Sequence, residues 1–192
     1  MSLNPFVVSV REAAQKKNAL VSFPDADDAR TLKASIFLKE NEIAKPVLVG
    51  NIEKINACAK ENNLDITGIP VYDPATSELR DEFANLLFEK RKTKGLTLEK
   101  SYEIIVDPLY FAGLLLETQR VAVVVGGNVS STGNVMRAAI HTVGVADGCS
   151  IVSSFFIMTF PDKLLCFADC AVNPNPNDVQ LADIAIASAQ NF

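Results

Sequence analysis

Hydrogen-bonding side chains are concentrated in one stretch, Val121 to Arg137, which reads V-A-V-V-V-G-G-N-V-S-S-T-G-N-V-M-R. Its β-branched start predicts a buried parallel strand. Gly126 and Gly127 then allow a sharp turn and the close approach of a ligand. Residues that favour helix starts follow, and we expect Arg137 near the first turn of a helix. Such a strand, turn and helix start could bind phosphate through free N–H groups and an arginine fork. The hydroxyl side chains of this turn are Ser130, Ser131 and Thr132.

An ordinary strand-to-helix connection would use the same residue types, so this stretch alone does not decide between packing and binding. Its spacing matches neither G-x-G-x-x-G nor G-x-x-x-x-G-K-[ST]. Dinucleotide binding and a P-loop are therefore disfavoured.

Positive charge is concentrated in a second stretch, within a chain whose net charge is −5. That balance argues against general nucleic-acid binding, which needs a basic face. An anionic ligand would need a local cluster of cations. The best cluster is Lys90, Arg91, Lys92 and Lys94, although cations at a helix C-terminus also stabilise the helix itself.

The four cysteines form no C-x-x-C pair, and the chain has a single histidine, His141. We therefore expect no metal site and interpret the cysteines as reduced thiols of a cytoplasmic protein. His141 is interpreted as structural, its charge favourable at a helix end. No apolar run approaches the about 20 residues that cross a bilayer, so no membrane association is expected.

Strand-like and helix-like segments alternate from Ala19 to Val143. This pattern predicts a three-layer α/β fold, a mostly parallel sheet with helices on both faces. Ligands of such sheets bind at the carboxyl ends of the strands, where the loops Pro24–Arg30 and Gly126–Thr132 both fall. After Gly144 the pattern changes to a hairpin and one helix. We predict a first domain over residues 1–145 and the truncated start of a second α/β domain over 146–192.

Several segments resemble the phosphate acetyltransferase (phosphotransacetylase) family, within the phosphate acetyl/butyryltransferases. The most specific is F-A-D-C-A-V-N-P-N-P, Phe167 to Pro176, followed by Q-L-A-D-I-A-I-A-S-A, Gln180 to Ala189. The blocks A-K-P-V-L-V-G, F-E-K-R-K-T-K-G and D-P-L-Y-F-A-G fit the same family. The resemblance implies a fold like that of isocitrate and isopropylmalate dehydrogenases. It also implies that the first domain is incomplete without a C-terminal return segment.

The resemblance also implies a reaction, acetyl phosphate plus coenzyme A giving acetyl-CoA plus phosphate, by direct attack of the CoA thiolate. Family members are typically homodimers and hold no permanent cofactor, CoA being a substrate. Matching the motifs makes Arg91 and Arg137 substrate- or CoA-binding residues, with Arg30 a weaker candidate. Ser130, Ser131 and Thr132 match the family's hydroxyl-rich turn.

This sequence departs from the family at two points. The run G-N-V-S-S-T resembles phosphate butyryltransferases, which leaves the acyl chain open. The family's serine-arginine pair and the aspartate proposed as its general base are expected beyond Phe192, so the catalytic residues are unknown here. The chain is thus interpreted as an inactive N-terminal part of an acetyltransferase. The alternatives are a phosphate butyryltransferase and a short, non-catalytic protein that binds CoA or acyl phosphate.

Overall fold

The structure, a computed structural model, describes residues 4–192. Two compact units make up the chain. One is Arg11–Gly144, and the other contains Val145–Phe192 with the residues up to Val10. No helix in the described range has the length and hydropathy that a bilayer crossing requires.

Strands and helices alternate up to Gly144, as the sequence pattern predicted. In chain order the elements are α1 (Pro5–Lys17), β1 (Leu20–Phe23), α2 (Ala29–Glu40), β2 (Lys45–Val49), α3 (Ile52–Glu61), β3 (Val71–Tyr72), α4 (Arg80–Arg91), a 3-10 turn (Lys92–Lys94), α5 (Leu98–Ile104), α6 (Pro108–Glu117), β4 (Val123–Val124) and α7 (Thr132–Thr142).

Side-chain caps define most of the helix starts. Asp28, Asn51 and Thr97 each accept a backbone N–H of the helix that follows, for α2, α3 and α5. Asp107 does the same for α6, which has proline in its first turn. The exception is α4. Ser77 accepts the N–H of Leu79, and α4 begins at Arg80 without a side-chain cap.

All four strands of the sheet are parallel, in the order β3-β2-β1-β4. Successive side chains of β2 point to opposite faces of the sheet and pack in two different hydrophobic clusters. Val47 and Val49 pack with residues of α4 and α6, whereas Leu48 packs with residues of α2 and α3. Each fully buried side chain of this kind contributes about 1.5–3 kcal/mol of transfer free energy. The three-layer prediction is therefore confirmed.

The strand β4, which was predicted to be buried, is instead at the edge of the sheet. Within the described residues β4 pairs only with β1, over two positions. Val123 and Val125 are consequently 45% and 50% exposed. They line an apolar groove of about 590 Å³ together with Val21, Phe23 and Phe37.

The unit that contains Val145–Phe192 has the predicted antiparallel hairpin and helix. The hairpin strands are β5 (Phe155–Thr159) and β6 (Leu164–Ala168), and α8 spans Asp178–Asn191. Asn177 and Gln180 form a full capping box at the start of α8.

Candidate functional site

The two loops expected to form a site follow adjacent strands. Because β1 and β4 are parallel neighbours, their carboxyl ends meet at one edge of the sheet. The chain continues from β1 to β2 on one side, whereas β4 lies on the other side of β1. Ligands of open parallel sheets bind at such a reversal of strand order.

Asp25 ties these two loops together. Asp25 is only 5% exposed. Its Oδ2 accepts hydrogen bonds from the backbone N–H of Gly127 at 2.7 Å and from that of Asn128 at 2.8 Å. The Ser130 hydroxyl donates to Oδ1 at 2.6 Å. Burial alone would raise the pKa of Asp25, but these hydrogen bonds outweigh burial and lower it. The backbone N–H groups that we expected to face a ligand are thus occupied by a carboxylate of the protein.

Arg30 is held by its own helix cap. Its Nε donates to Asp28 Oδ1 at 3.0 Å, and the side chain is 69% exposed. The Asn128 side chain donates to the same oxygen at 3.0 Å, which joins this pair to the glycine turn. Hydrogen bonds from Arg30, and secondarily from Asn128, hold the pKa of Asp28 well below its usual range. Arg30 therefore contributes to loop geometry, with its guanidinium already paired.

The three hydroxyl residues of the turn have separate positions. Ser130 bonds Asp25, and Ser131 caps α7 by accepting the N–H of Asn134. Thr132 is the exposed first residue of α7. Two of the three hydroxyls thus serve the conformation of the turn.

Arg91 lies at the end of α4, half-buried beside His141 of α7. Its Nη2 is 3.1 Å from His141 Nε2, and the Tyr110 hydroxyl is 2.9 Å from His141 Nδ1. Burial, Arg91 and Arg137, in that order, lower the pKa of His141. The imidazole is therefore favoured in its neutral form, not as the helix-end cation that the sequence indicated.

Arg137 lies in the second turn of α7, because the helix begins at Thr132, earlier than expected. Its Nη1 donates to Asn134 Oδ1 at 3.4 Å. The positive charges of Arg137 and Arg91 both contribute to the lowered pKa of His141, and both oppose the rise in the pKa of Tyr110 that burial causes. Neither arginine forms a salt bridge within residues 4–192. Two unpaired guanidinium groups beside one neutral imidazole make this the strongest candidate for binding an anion.

The neighbouring cations of the predicted cluster are mostly paired. Lys90 forms a salt bridge with Glu117 at 2.5 Å, and Lys92 forms one with Glu89. Lys94 lines the small pocket that Arg91, Tyr110 and His141 share. Of the four cations, the structure brings Arg91 and Lys94 to this pocket.

Sequence reasoning missed Asp25 and Tyr110. Asp25 falls in the loop Pro24–Arg30, and its place shortly after β1 could have indicated contact with the loop after β4. Tyr110 occurs in a family-like block and carries no spacing signal of its own. Its contact with His141 depends on how α6 packs on α7.

The F-A-D-C-A-V-N block lies in the unit that contains Val145–Phe192, where hydrogen bonds to the Asp169 carboxylate hold its backbone. Asp169 Oδ1 accepts the N–H of Ser154 at 2.9 Å and its hydroxyl at 2.6 Å. Asp169 Oδ2 accepts the N–H of Val172 at 3.2 Å and the side-chain amide of Asn173 at 3.0 Å. Burial would raise the pKa of Asp169, but the hydrogen bonds hold it well below its usual range. Each carboxylate oxygen thus serves the conformation of this motif.

No group of three or more potential metal ligands among His, Cys, Asp and Glu occurs in the part of the chain that the structure describes. All four cysteines are free thiols.

Comparison with known proteins gives one family. The sequence pattern described as "Phosphate acetyl/butaryl transferase" matches residues 5–192. A phosphate acetyltransferase of Clostridium acetobutylicum is 40% identical over 190 residues, which cover 96% of this chain and 57% of that protein. The chain thus spans less than two thirds of this curated relative.

Two solved structures are similar to this one. A phosphotransacetylase from Staphylococcus aureus superposes with a TM-score of 0.86 at 31% identity, covering 95% of this chain and 56% of that one. A phosphotransacetylase from Streptococcus pyogenes gives a TM-score of 0.88 at 27% identity, with coverages of 97% and 57%.

Proposed function

The chain belongs to the phosphate acetyl/butaryl transferase family, and from that premise we propose that it is the CoA-binding part of a phosphate acetyltransferase. The whole protein would transfer an acetyl group between acetyl phosphate and CoA. The observation that carries this proposal is the pair Arg91 and Arg137. Neither forms a salt bridge with a carboxylate in the described residues, and the charges of both contribute to the lowered pKa of His141.

The chemistry of the substrates matches these residues. CoA and acyl phosphate both carry phosphate groups, and a planar guanidinium can donate two parallel hydrogen bonds to one of them. A hydrogen bond to a charged group contributes about 1.5–3 kcal/mol net. In this proposal Arg91 and Arg137 hold a phosphate of CoA, while Asp25 keeps the adjacent turn in shape.

We expect little acetyl-CoA formation by residues 1–192 alone. The carboxylates that touch the turn, Asp25 and Asp28, are both engaged in hydrogen bonds, so neither is free to take the thiol proton. Acetyl phosphate is the proposed acyl donor because the curated relatives are phosphate acetyltransferases. We further propose a homodimer located in the cytoplasm, with no permanently bound cofactor.

Calorimetric titration of CoA into the purified chain tests the proposal, with ADP as the control ligand. We expect saturable binding of CoA at one site per chain, weakening as salt rises, and weaker binding of ADP. Absence of saturable CoA binding would overturn the proposed function. An assay with acetyl phosphate and butyryl phosphate side by side should show little turnover. Rapid turnover of butyryl phosphate alone would favour a butyryltransferase.

A further inference from the structure

Arg91, His141 and Tyr110 form a chain of hydrogen bonds whose directions follow from chemistry. A guanidinium can only donate, so His141 Nε2 must accept from Arg91 Nη2 at 3.1 Å. The neutral imidazole then carries its hydrogen on Nδ1 and donates it to the Tyr110 hydroxyl oxygen at 2.9 Å. The hydroxyl hydrogen of Tyr110 is thereby left without an acceptor among the residues that the structure describes.

Tyr110 lines a small pocket of about 200 Å³. Arg91, Lys94, Tyr110 and His141 supply its polar lining, and Leu87 and Leu96 supply part of its apolar lining. The polar side chains come from α4, α6 and α7 and from the turn after α4. Such a pocket presents donors and positive charge together, which is what a phosphate group requires.

The groups around His141 oppose a second proton on the ring. Arg91 faces it from α4, Tyr110 from α6 and Arg137 from its own helix, and Lys94 lines the same pocket. Burial raises the pKa of Tyr110. Asp107, at the start of α6, adds to this rise, whereas both arginines oppose it. Protonation of Nε2 would remove the acceptor for Arg91 and place a third positive charge beside two arginines.

We propose that His141 is a positioning residue that fixes the Arg91 guanidinium, and that Tyr110 uses its hydroxyl hydrogen as a further donor to the same phosphate. The inference rests on the proposed function for the identity of that phosphate, which belongs to CoA. In this arrangement the tautomer of His141 determines whether the Tyr110 hydroxyl can donate its hydrogen to the phosphate.

The tautomer can be measured directly, because His141 is the only histidine of the chain. In ¹⁵N NMR of the free protein we expect a neutral ring protonated at Nδ1, with a pKa below the ordinary value. Arg91→Gln should raise that pKa. A ring protonated at Nε2 in the wild-type protein would overturn the inference whatever the protein does with CoA.

Binding variants separate positioning from packing. His141→Gln keeps an acceptor near the place of Nε2, whereas His141→Leu removes it. We expect His141→Leu to weaken CoA binding about tenfold and His141→Gln to restore most of that loss. Tyr110→Phe should weaken binding by a similar factor. Equal CoA affinity in the wild type, His141→Leu and Tyr110→Phe would overturn the inference.

Inorganic phosphate distinguishes failure of the inference from failure of the proposed function. If phosphate shifts the His141 resonances while CoA does not bind, the anion site stands and CoA is the wrong ligand. If neither phosphate nor CoA shifts them, the pocket is not an anion site and the inference fails.

Discussion

Asp25 shows how one residue can determine the shape of a loop far away in the chain. It accepts hydrogen bonds from Gly127, 102 positions later, and from the next residue, Asn128. The charge of the buried carboxylate is compensated by N–H and O–H dipoles alone, without a salt bridge in the described residues. The same turn precedes α7, which carries Arg137 and His141.

Asp25→Asn should therefore destabilise the protein. The amide keeps one acceptor oxygen but directs an NH₂ group at backbone donors, so we expect a loss of about 1.5–3 kcal/mol in the free energy of unfolding. Urea denaturation followed by circular dichroism measures it. Asp27→Asn is the matched control, since Asp27 is exposed in the same loop. Equal stability of the two variants would contradict the role assigned to Asp25.

The Asp25 contribution should also depend on pH. The pKa of Asp25 is lowered in the folded protein, so its contribution is present above the ordinary value of 3.8 and is lost as pH falls through the folded-state pKa. The stability difference between the wild type and Asp25→Asn should stay constant from pH 7 to pH 5 and shrink below pH 3.8. A difference that shrinks already near pH 6 would point to another titrating group.

At the scale of elements, the contact between α6 and α7 positions the candidate site. Tyr110 is on α6 and His141 on α7, and the helices approach closely at Gly113. A Cβ built at Gly113 would lie 2.2 Å from Thr142 Oγ1. Only glycine permits this approach, so Gly113 contributes to the site without touching it.

Gly113→Ala should push α7 away from α6. We expect a loss of about 1–3 kcal/mol of stability from overpacking, accompanied by weaker CoA binding. Gly133→Ala is the matched control within α7, because a Cβ there meets nothing within 4 Å. It should stabilise the helix slightly, by up to about 1 kcal/mol. If Gly113→Ala is as stable as Gly133→Ala, the close packing assigned to Gly113 is wrong.

Elements were predictable from sequence where a local signal exists. Asp107-Pro108 and Asn177 with Gln180 define helix starts through caps that involve only neighbouring residues. The burial of β4 was not predictable, because the β-branched run Val121–Val125 is equally compatible with a central strand and with an edge strand. What decides between them is whether another strand pairs on the far side, which is a property of the whole sheet.

For the whole molecule, the edge of the sheet carries an exposed apolar groove. Val123 and Val125 line a groove on the unit Arg11–Gly144 beside the unpaired side of β4, as far as the described residues show. Exposed strand edges with apolar side chains favour association between chains.

Val123→Lys should reduce self-association at this edge. We expect the wild-type chain to form concentration-dependent oligomers in sedimentation velocity, and Val123→Lys to shift the population toward monomer. Val129→Lys provides the control, since Val129 is 62% exposed and lies in the turn outside the groove. A wild-type chain that stays monomeric at high concentration would contradict this prediction.

The candidate site was predictable only in part, for a physical reason. Arg91 and Arg137 could be named from family-like blocks, and the meeting of the loops after β1 and β4 followed from the parallel topology. Their partners could not be named, because a contact such as Tyr110 with His141 depends on helix packing between distant segments. Arg30 was named for its helix position, yet its charge is already paired with Asp28.

The central claim is that Arg91 and Arg137 form a phosphate site for CoA, and calorimetric CoA titration of three charge variants tests it most directly. Arg91→Gln and Arg137→Gln should each weaken binding about ten- to hundredfold. Lys92→Gln removes the same charge from an exposed neighbour that pairs with Glu89, and it should bind like the wild type. Equal weakening by all three variants would mean that only net charge matters, and unchanged affinity in both arginine variants would contradict the account.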